Sequence, residues 1–357
     1  MTAPAGATSR NKMLPFRRGT RRRFATIGTF AFTPGTPIPS IVIPQVGYLS
    51  RIFIRLLGTI TQSGAGTVNP LGYAALFSRI RLSANLGSAS IVDCSGIGLE
   101  TQNTAWAPNS LPVANTYANA GAANNVEYGL IVPVNANQRR QFEFGLIGLQ
   151  APEVRVTLDI IPAALSAFVT LTTASALSVQ VAYEYWEYPD PARYTQPPLT
   201  IVRTLEDPAL VISQIGDQIY QLPRLGTMSE LHHLVLINGA RAILQSQSST
   251  VPPQVSEIRM RINKTDTVLD YLIRMKELDE AELYNTAGAT KTFLTQGVVS
   301  WDFWHASEQK WNGGDGRDMY NTEEVTTLES IVTIDPSVTI TGQCQIQPVR
   351  RVFQRLT

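Results

Sequence analysis

The stretch Leu177-Ser-Val-Gln-Val-Ala-Tyr-Glu-Tyr-Trp-Glu-Tyr188-Pro-Asp-Pro-Ala-Arg-Tyr-Thr-Gln-Pro-Pro198 decides the architecture. Its first half alternates. Val179, Val181, Tyr183, Tyr185 and Glu187 fall on one side, and Gln180, Ala182, Glu184 and Trp186 on the other. Period two in β-branched and aromatic residues is the pattern of a half-buried strand. Its second half places four prolines within residues 188–198. Proline has no N–H to give a ladder and holds its predecessor extended, so the sheet stops there. Charge density also changes here: residues 24–180 carry 13 charged groups, residues 181–357 carry 37. A sheet end and a change of composition at one place mark a junction between two domains.

Working outward, both sides of the junction read as strands. In residues 51–57, Ile52, Ile54 and Leu56 oppose Arg51, Phe53, Arg55 and Leu57; in residues 77–82, Ile80 and Leu82 oppose Arg79 and Arg81. Further candidates are 126–132, 141–149 and 154–161 before the junction. After it come 199–203, 218–222, 231–237, 257–263, 293–303, 325–334 and 338–353. Uncharged stretches rich in Ala, Asn, Gly and Ser (61–70, 103–125, 163–176) read as long ordered loops, a length usually kept for a role. One segment reads as a helix: in residues 266–283, Val268, Leu269, Leu272, Ile273, Met275 and Leu283 share a face, Thr265 or Asp266 caps it, and Asp270 and Arg274 form an i,i+4 pair. The expected fold is all-β: two tandem eight-stranded jelly-roll β-sandwiches, with a short helix in the second and an extended basic N-terminal arm. The expected divisions are 1–23 for the arm, 24–188 for the first jelly roll, 189–198 for the linker and 199–357 for the second.

The net charge of +1 over 357 residues conceals a layered distribution. Residues 1–23 hold Arg10, Lys12, Arg17, Arg18, Arg21, Arg22 and Arg23 and no acid. The rest holds 22 basic and 28 acidic groups. Clustered arginines seek phosphates of nucleic acid or anionic lipid through their planar bidentate fork, or acids of a neighbouring subunit. Met13, Leu14 and Phe16 add shallow apolar contact. The run Thr20-Arg-Arg-Arg-Phe-Ala25 resembles a twin-arginine export signal, but Phe24–Phe32 contains Thr26, Gly28 and Thr29 and meets Pro34, so a first strand is the expectation. Cys94 and Cys344, 250 residues apart, are expected as two buried free thiols, with one long-range disulfide the alternative. No stretch reaches the ~18 apolar residues of a membrane helix.

Motifs of chemistry are scarce. His232 and His233 are adjacent in a strand and so face opposite ways, and His305 stands alone. The H-E-x-x-H, G-x-S-x-G and phosphate-cradling glycine patterns do not occur. Asp315, Asp318, Glu323 and Glu324 offer hard oxygen ligands, yet their spacing is not that of a calcium loop and Arg317 sits among them, so a surface turn is expected. Trp301 and Phe303 alternate with Asp302 and Trp304, which suits core packing with a subunit contact better than a sugar platform. No enzyme activity, cofactor or metal is expected.

A basic arm, two β-domains on a proline-rich linker and long uncharged loops together resemble the double jelly-roll major capsid proteins of membrane-containing double-stranded DNA viruses, especially the tectivirus type. The resemblance covers residues 24–357. It rests on the 188–198 junction, the run Arg224-Leu-Gly-Thr-Met-Ser-Glu-Leu-His-His-Leu-Val-Leu-Ile-Asn-Gly239 and the segment 266–283. It implies a homotrimer forming a pseudo-hexagonal capsomer, packed with neighbouring capsomers and with penton and minor capsid proteins into an icosahedral shell. The implied location is the virion, with assembly in the host cytoplasm. It also implies that the arm, residues 1–23, faces inward toward an internal lipid membrane or the genome, with the basic residues Arg17–Arg23 as the best candidates for contact. Two other readings stand beside it: an RNA-virus capsid protein with an RNA-binding arm, and a β-sandwich carbohydrate-binding protein or glycosidase.

Overall fold

The alternating segments become strands of three sheets in the computed structural model, which describes residues 13–62, 69–85, 89–106, 123–136, 144–150, 154–169, 172–197, 200–244, 252–273, 275, 297–303 and 320–355. The first sheet runs β1 (Arg22–Phe32), β9 (Thr172–Trp186), β3 (Tyr48–Gln62), β6 (Ala123–Pro133), all antiparallel, with β7 (Ile147–Gly148) beside β3. Ile52, Ile54 and Leu56 of β3 and Val179, Val181 and Tyr183 of β9 point into one core, as period two requires. Arg51 and Arg55 face the other way, onto Glu184 at 2.9 Å and Glu127 at 2.5 Å. The long β3 and β9 cross closely at Gly58, whose φ is 141° and where a Cβ would overlap the Ala176 carbonyl.

The second sheet runs β14 (Ala240–Arg241), β13 (Thr227–Ile237), β20 (Gln345–Arg355), β10 (Thr200–Glu206), β5 (Ala89–Cys94), β4 (Phe77–Ala84), β8 (Val156–Pro162), β2 (Ile41–Val42). The short β11 (Leu210–Val211) adds to β20, and β17 (Val298–Asp302) and β18 (Tyr320–Asn321) add to β13. The third sheet is β12 (Gly216–Gln221), β19 (Leu328–Ile334), β15 (Val255–Ile262), β16 (Asp266–Leu272). The first sheet closes a core drawn from residues 32–183 together with Val349; the third closes another drawn from residues 212–352. Each is a sandwich of two sheets, and the second sheet passes through both.

The expected helix over 266–283 gives way to strand β16 over its first seven residues. Asn263 and Lys264 both take positive φ and turn the chain back on β15, so Asp266 pairs with Ile262 rather than capping a helix. Val268 and Leu272 then point outward while Leu269 and Tyr271 pack on the core. Asp270 lies opposite Arg259. The chain is helical at Ile273 and Met275; Arg274 and 276–283 lie outside the described residues.

The longest described helix stands instead in the first half: α2 (Gly96–Trp106), after the single turn α1 (Phe16–Gly19). The first four residues of the expected loop 103–125 are its last turn, and 107–122 lie outside the described residues. Its side chains are buried nearly all round, Glu100, Thr101, Gln102, Asn103 and Thr104 included, so no apolar stripe betrays it. Of the expected strand 141–149, residues 141–143 lie outside the described residues; among the rest only Ile147–Gly148 is strand, and Gly145 at φ 79° turns the chain against the Val134 carbonyl just before it. Strand 338–353 starts only at Gln345, since Asn238 draws the Thr341 and Gly342 amides into a turn.

Candidate functional site

The basic segment is seated from Met13 onward, and Arg10 and Lys12 lie outside the described residues. Leu14 bridges Tyr194 of the proline-rich linker: its amide donates to the Arg193 carbonyl and the Thr195 amide donates to the Leu14 carbonyl, each at 2.9 Å. The Phe16 amide donates to Thr195 Oγ1 at 3.1 Å. The Phe16 ring is fully buried among Tyr48, Leu146 and Trp186, edge-on to Tyr48 at 5.6 Å. Gly19 leaves room for the Tyr194 ring, which a Cβ would strike. Tyr188 stacks on the Tyr48 ring, and the Tyr48 hydroxyl reaches Gln196 at 2.8 Å. The linker therefore doubles as the dock for the N-terminal segment.

That docking sorts the arginines. Arg22 and Arg23 open β1 and meet acids in and just after β9: Arg23 Nε lies 2.6 Å from Glu187 and Arg22 Nε lies 3.7 Å from Glu184, which also takes Arg51. Arg17, Arg18 and Arg21 are exposed, and the exposed Arg193 of the linker, whose carbonyl takes the Leu14 amide, pairs with Asp190 at 3.9 Å. Met13 and Leu14 are exposed at the same end. The result is a cationic surface edged with apolar side chains.

A second constellation lies where the two sandwiches meet. Strands β5 and β10 pair in parallel, Thr204 with Val92 and Leu205 with Asp93, the one parallel ladder among the described strands. Helix α2 lies against β4 and β6 of the first half and β13, β17 and β20 of the second. Ser95 caps it through the Gly98 amide at 3.0 Å. The Glu206 carboxylate, from β10, accepts from the Ser95 amide and from Ser95 Oγ at 3.0 Å, where carboxylate charge suits a helix N-terminus. Gly98 is required there, because a Cβ would fall on Glu206 Oε2.

Arg351 of β20 is fully buried. It donates to the Asn135 carbonyl at 2.8 Å, the Ala136 carbonyl at 2.9 Å, Glu230 Oε1 at 3.1 Å and Thr204 Oγ1 at 3.3 Å. Glu230 also accepts from Gln102 Nε2 at 2.9 Å and lies 3.1 Å from His232 Nε2. Burial alone would raise the Glu230 carboxyl, but Arg351 and His232 overcome it and hold the group down at about 2. Arg241 reaches Glu100 of α2 at 3.1 Å.

The histidine pair faces opposite ways, His232 onto Glu230 and Ser300 and His233 onto Ser330 at 2.7 Å. Both are buried, and burial, with His232 beside it, pushes His233 down to about 3. Among the described residues no three His, Cys, Asp or Glu side chains form a group able to hold a metal. Asp315, Asp318, Trp304, His305 and Trp311 lie outside them, whereas Trp301 and Phe303 are core. Cys94 and Cys344 are free and buried in the first and second cores.

No family model and no curated protein matches the sequence. Solved structures do match, along nearly the whole chain. The STIV MCP aligns with TM-score 0.66 and 15% identity over 93% of this chain and 97% of that chain. The PBCV-1 virus capsid aligns with TM-score 0.56 and 13% identity over 98% and 95%. The major capsid protein P2 from bacteriophage PM2 aligns with TM-score 0.52 and 13% identity over 94% and 98%. The fold is a double jelly roll. It is carried by a sequence with at most 15% identity to these structures, so it is the strand plan and not a residue motif that is shared.

Nothing in the sequence pattern singles out Arg351, Glu230, Gln102 or Glu206. A basic pair in the last strand and an acid beside a histidine pair in β13 were the available signals, and each looks ordinary until the register places them together.

Proposed function

We propose that this chain is a major capsid protein that assembles as a homotrimer, builds pseudo-hexagonal capsomers and forms an icosahedral virion shell around an internal membrane and genome. The observation that carries the reading is the alignment of the whole double jelly roll, both sandwiches and their junction, with capsid proteins along 90% or more of either chain. Its role is assembly and not turnover: the buried histidines, glutamates and arginines named above are committed to partners within the fold. Neighbouring capsomers and penton and minor capsid proteins are the partners of such a shell, which forms in the host cytoplasm. Light scattering and negative-stain microscopy test this directly. Trimers of hexagonal outline are expected at micromolar concentration; a strictly monomeric species overturns the reading.

Within that reading, Arg17, Arg18 and Arg21, joined by Arg193 and continued by Arg10 and Lys12, contact an anionic lipid surface. Exposed Met13 and Leu14 beside the arginines favour a bilayer, since basic groups supply attraction and apolar ones shallow insertion. Flotation with vesicles containing phosphatidylserine is expected for the whole protein, with loss on Arg17→Glu, Arg18→Glu and Arg21→Glu together. Nuclease protection of RNA or DNA without flotation overturns the lipid assignment in favour of nucleic acid.

A further inference from the structure

We infer that helix α2 and the buried charges around Arg351 lock the two jelly rolls into one rigid body, which moves and unfolds as a unit. Interfaces between domains of one chain are ordinarily small and polar, and relative motion is the default. Here four features oppose it. The second sheet is continuous through the β5–β10 ladder, so a hinge must break backbone pairing. Leu71 and Ile97 of the first half form an apolar cluster with Leu234, Leu236 and Val298 of the second. Helix α2 belongs to the first jelly roll, yet its N-terminus is held by Glu206 of β10, and its side chains Glu100 and Gln102 are held by Arg241 and Glu230 of the second. Arg351 reaches two carbonyls of the first half, at Asn135 and Ala136, and the carboxylate of Glu230 in its own half.

The charges decide the matter. Opening the junction takes the Asn135 and Ala136 carbonyls from Arg351 and the Gln102 amide from Glu230, while the Arg351–Glu230 pair stays together within one half, so the cost is that of unmet hydrogen bonds to a buried ion pair. Glu230 sits at the centre because it answers both halves at once, Gln102 from one and Arg351 and His232 from the other. A subunit built this way arrives at assembly with the angle between its jelly rolls already set, and variation in contact geometry has to come from outside the junction. The inference concerns the single chain and stands apart from the assembly it enters.

Scanning calorimetry with hydrogen exchange on the full chain tests it. The wild type is expected to show one transition with equal calorimetric and van't Hoff enthalpies. Arg351→Met is expected to split or broaden that transition. It should also raise amide exchange at 135–136 and across α2 by tenfold or more, while β3, β9 and β19 keep their protection. Arg351→Met with Glu230→Gln should recover much of the loss, because the uncompensated carboxylate is removed. If Arg351→Met does not fold, Arg241→Gln breaks the more exposed Arg241–Glu100 link and should raise exchange in α2 alone. Two resolved transitions in the wild type, or accelerated exchange confined to one jelly roll with α2 unchanged, overturns the lock.

Discussion

Phe16→Ala offers the cleanest probe of how the N-terminal segment is held. The ring is fully buried in a small cluster with Tyr48, Leu146 and Trp186, separate from the two main cores. Removing a buried Phe side chain costs about 3–5 kcal/mol where the site cannot collapse. The cluster is small and separate from both main cores, so the lower figure applies. About 3 kcal/mol is roughly a 150-fold change in an equilibrium constant. The backbone contacts that remain, between Leu14 and the linker and from the Phe16 amide to Thr195, are few. The cost therefore falls on undocking of the segment and not on global unfolding. Limited trypsinolysis reads this equilibrium, because cleavage at Arg17, Arg18 and Arg21 follows the open population when reclosing is fast. Cleavage is expected to accelerate about 100-fold, with the melting temperature of the body within about 3 °C of wild type. Phe16→Leu should restore most of the protection. A cleavage rate within threefold of wild type, or a loss of more than 10 °C in melting temperature, would refute the reasoning, the second by making Phe16 part of the global core.

Two further outcomes follow from the junction and the histidine pair. Gly98→Ala places a Cβ on Glu206 Oε2 and should cost about 1–3 kcal/mol in urea unfolding, whereas Ala in an ordinary helix position gains over Gly. Stability should also fall on acidification in two stages. His233 is held down at about 3, so the unfolded chain, near 6.5, takes the proton first: the stabilisation is whole above about pH 6.5 and is lost as pH falls toward 3. Glu230, held at about 2, adds a loss between about pH 4.5 and 2. Urea midpoints across pH 3–7 should show a shallower slope for His233→Asn, and an unchanged slope would mean the ring is charged or solvated in the fold.

What could be read from the sequence and what could not divide along physical lines. Strands β3, β4 and β9 are legible because one face of each meets a core and the alternation survives in the residues, whereas β13 and β19, buried on both faces, are legible only as short runs rich in apolar residues. The end of β9 is legible because proline acts locally: β9 stops at Trp186 and the next strand starts at Thr200. Helix α2 was hidden because its surroundings are protein on nearly every side, which removes the stripe by which helices are recognised. Segment 266–272 misled for the opposite reason: Val268, Leu269 and Leu272 fit a helical face, and only the positive φ of Asn263 and Lys264, which turns the chain into a hairpin, decides for strand. The basic segment was legible as charge but not as structure. Its exposed arginines sit on a docked element because Phe16 and the linker hold it, and an aromatic at 16 cannot disclose partners at 48, 146 and 186. The residues that join the two jelly rolls are the hardest case. Glu206, Glu230 and Arg351 acquire meaning only from register between strands more than a hundred residues apart, which is a property of the fold and not of any segment. That dependence explains how capsid-like structures share a plan with this chain at 15% identity or less: each sequence can solve the junction with different side chains so long as the strands are delivered in the same order.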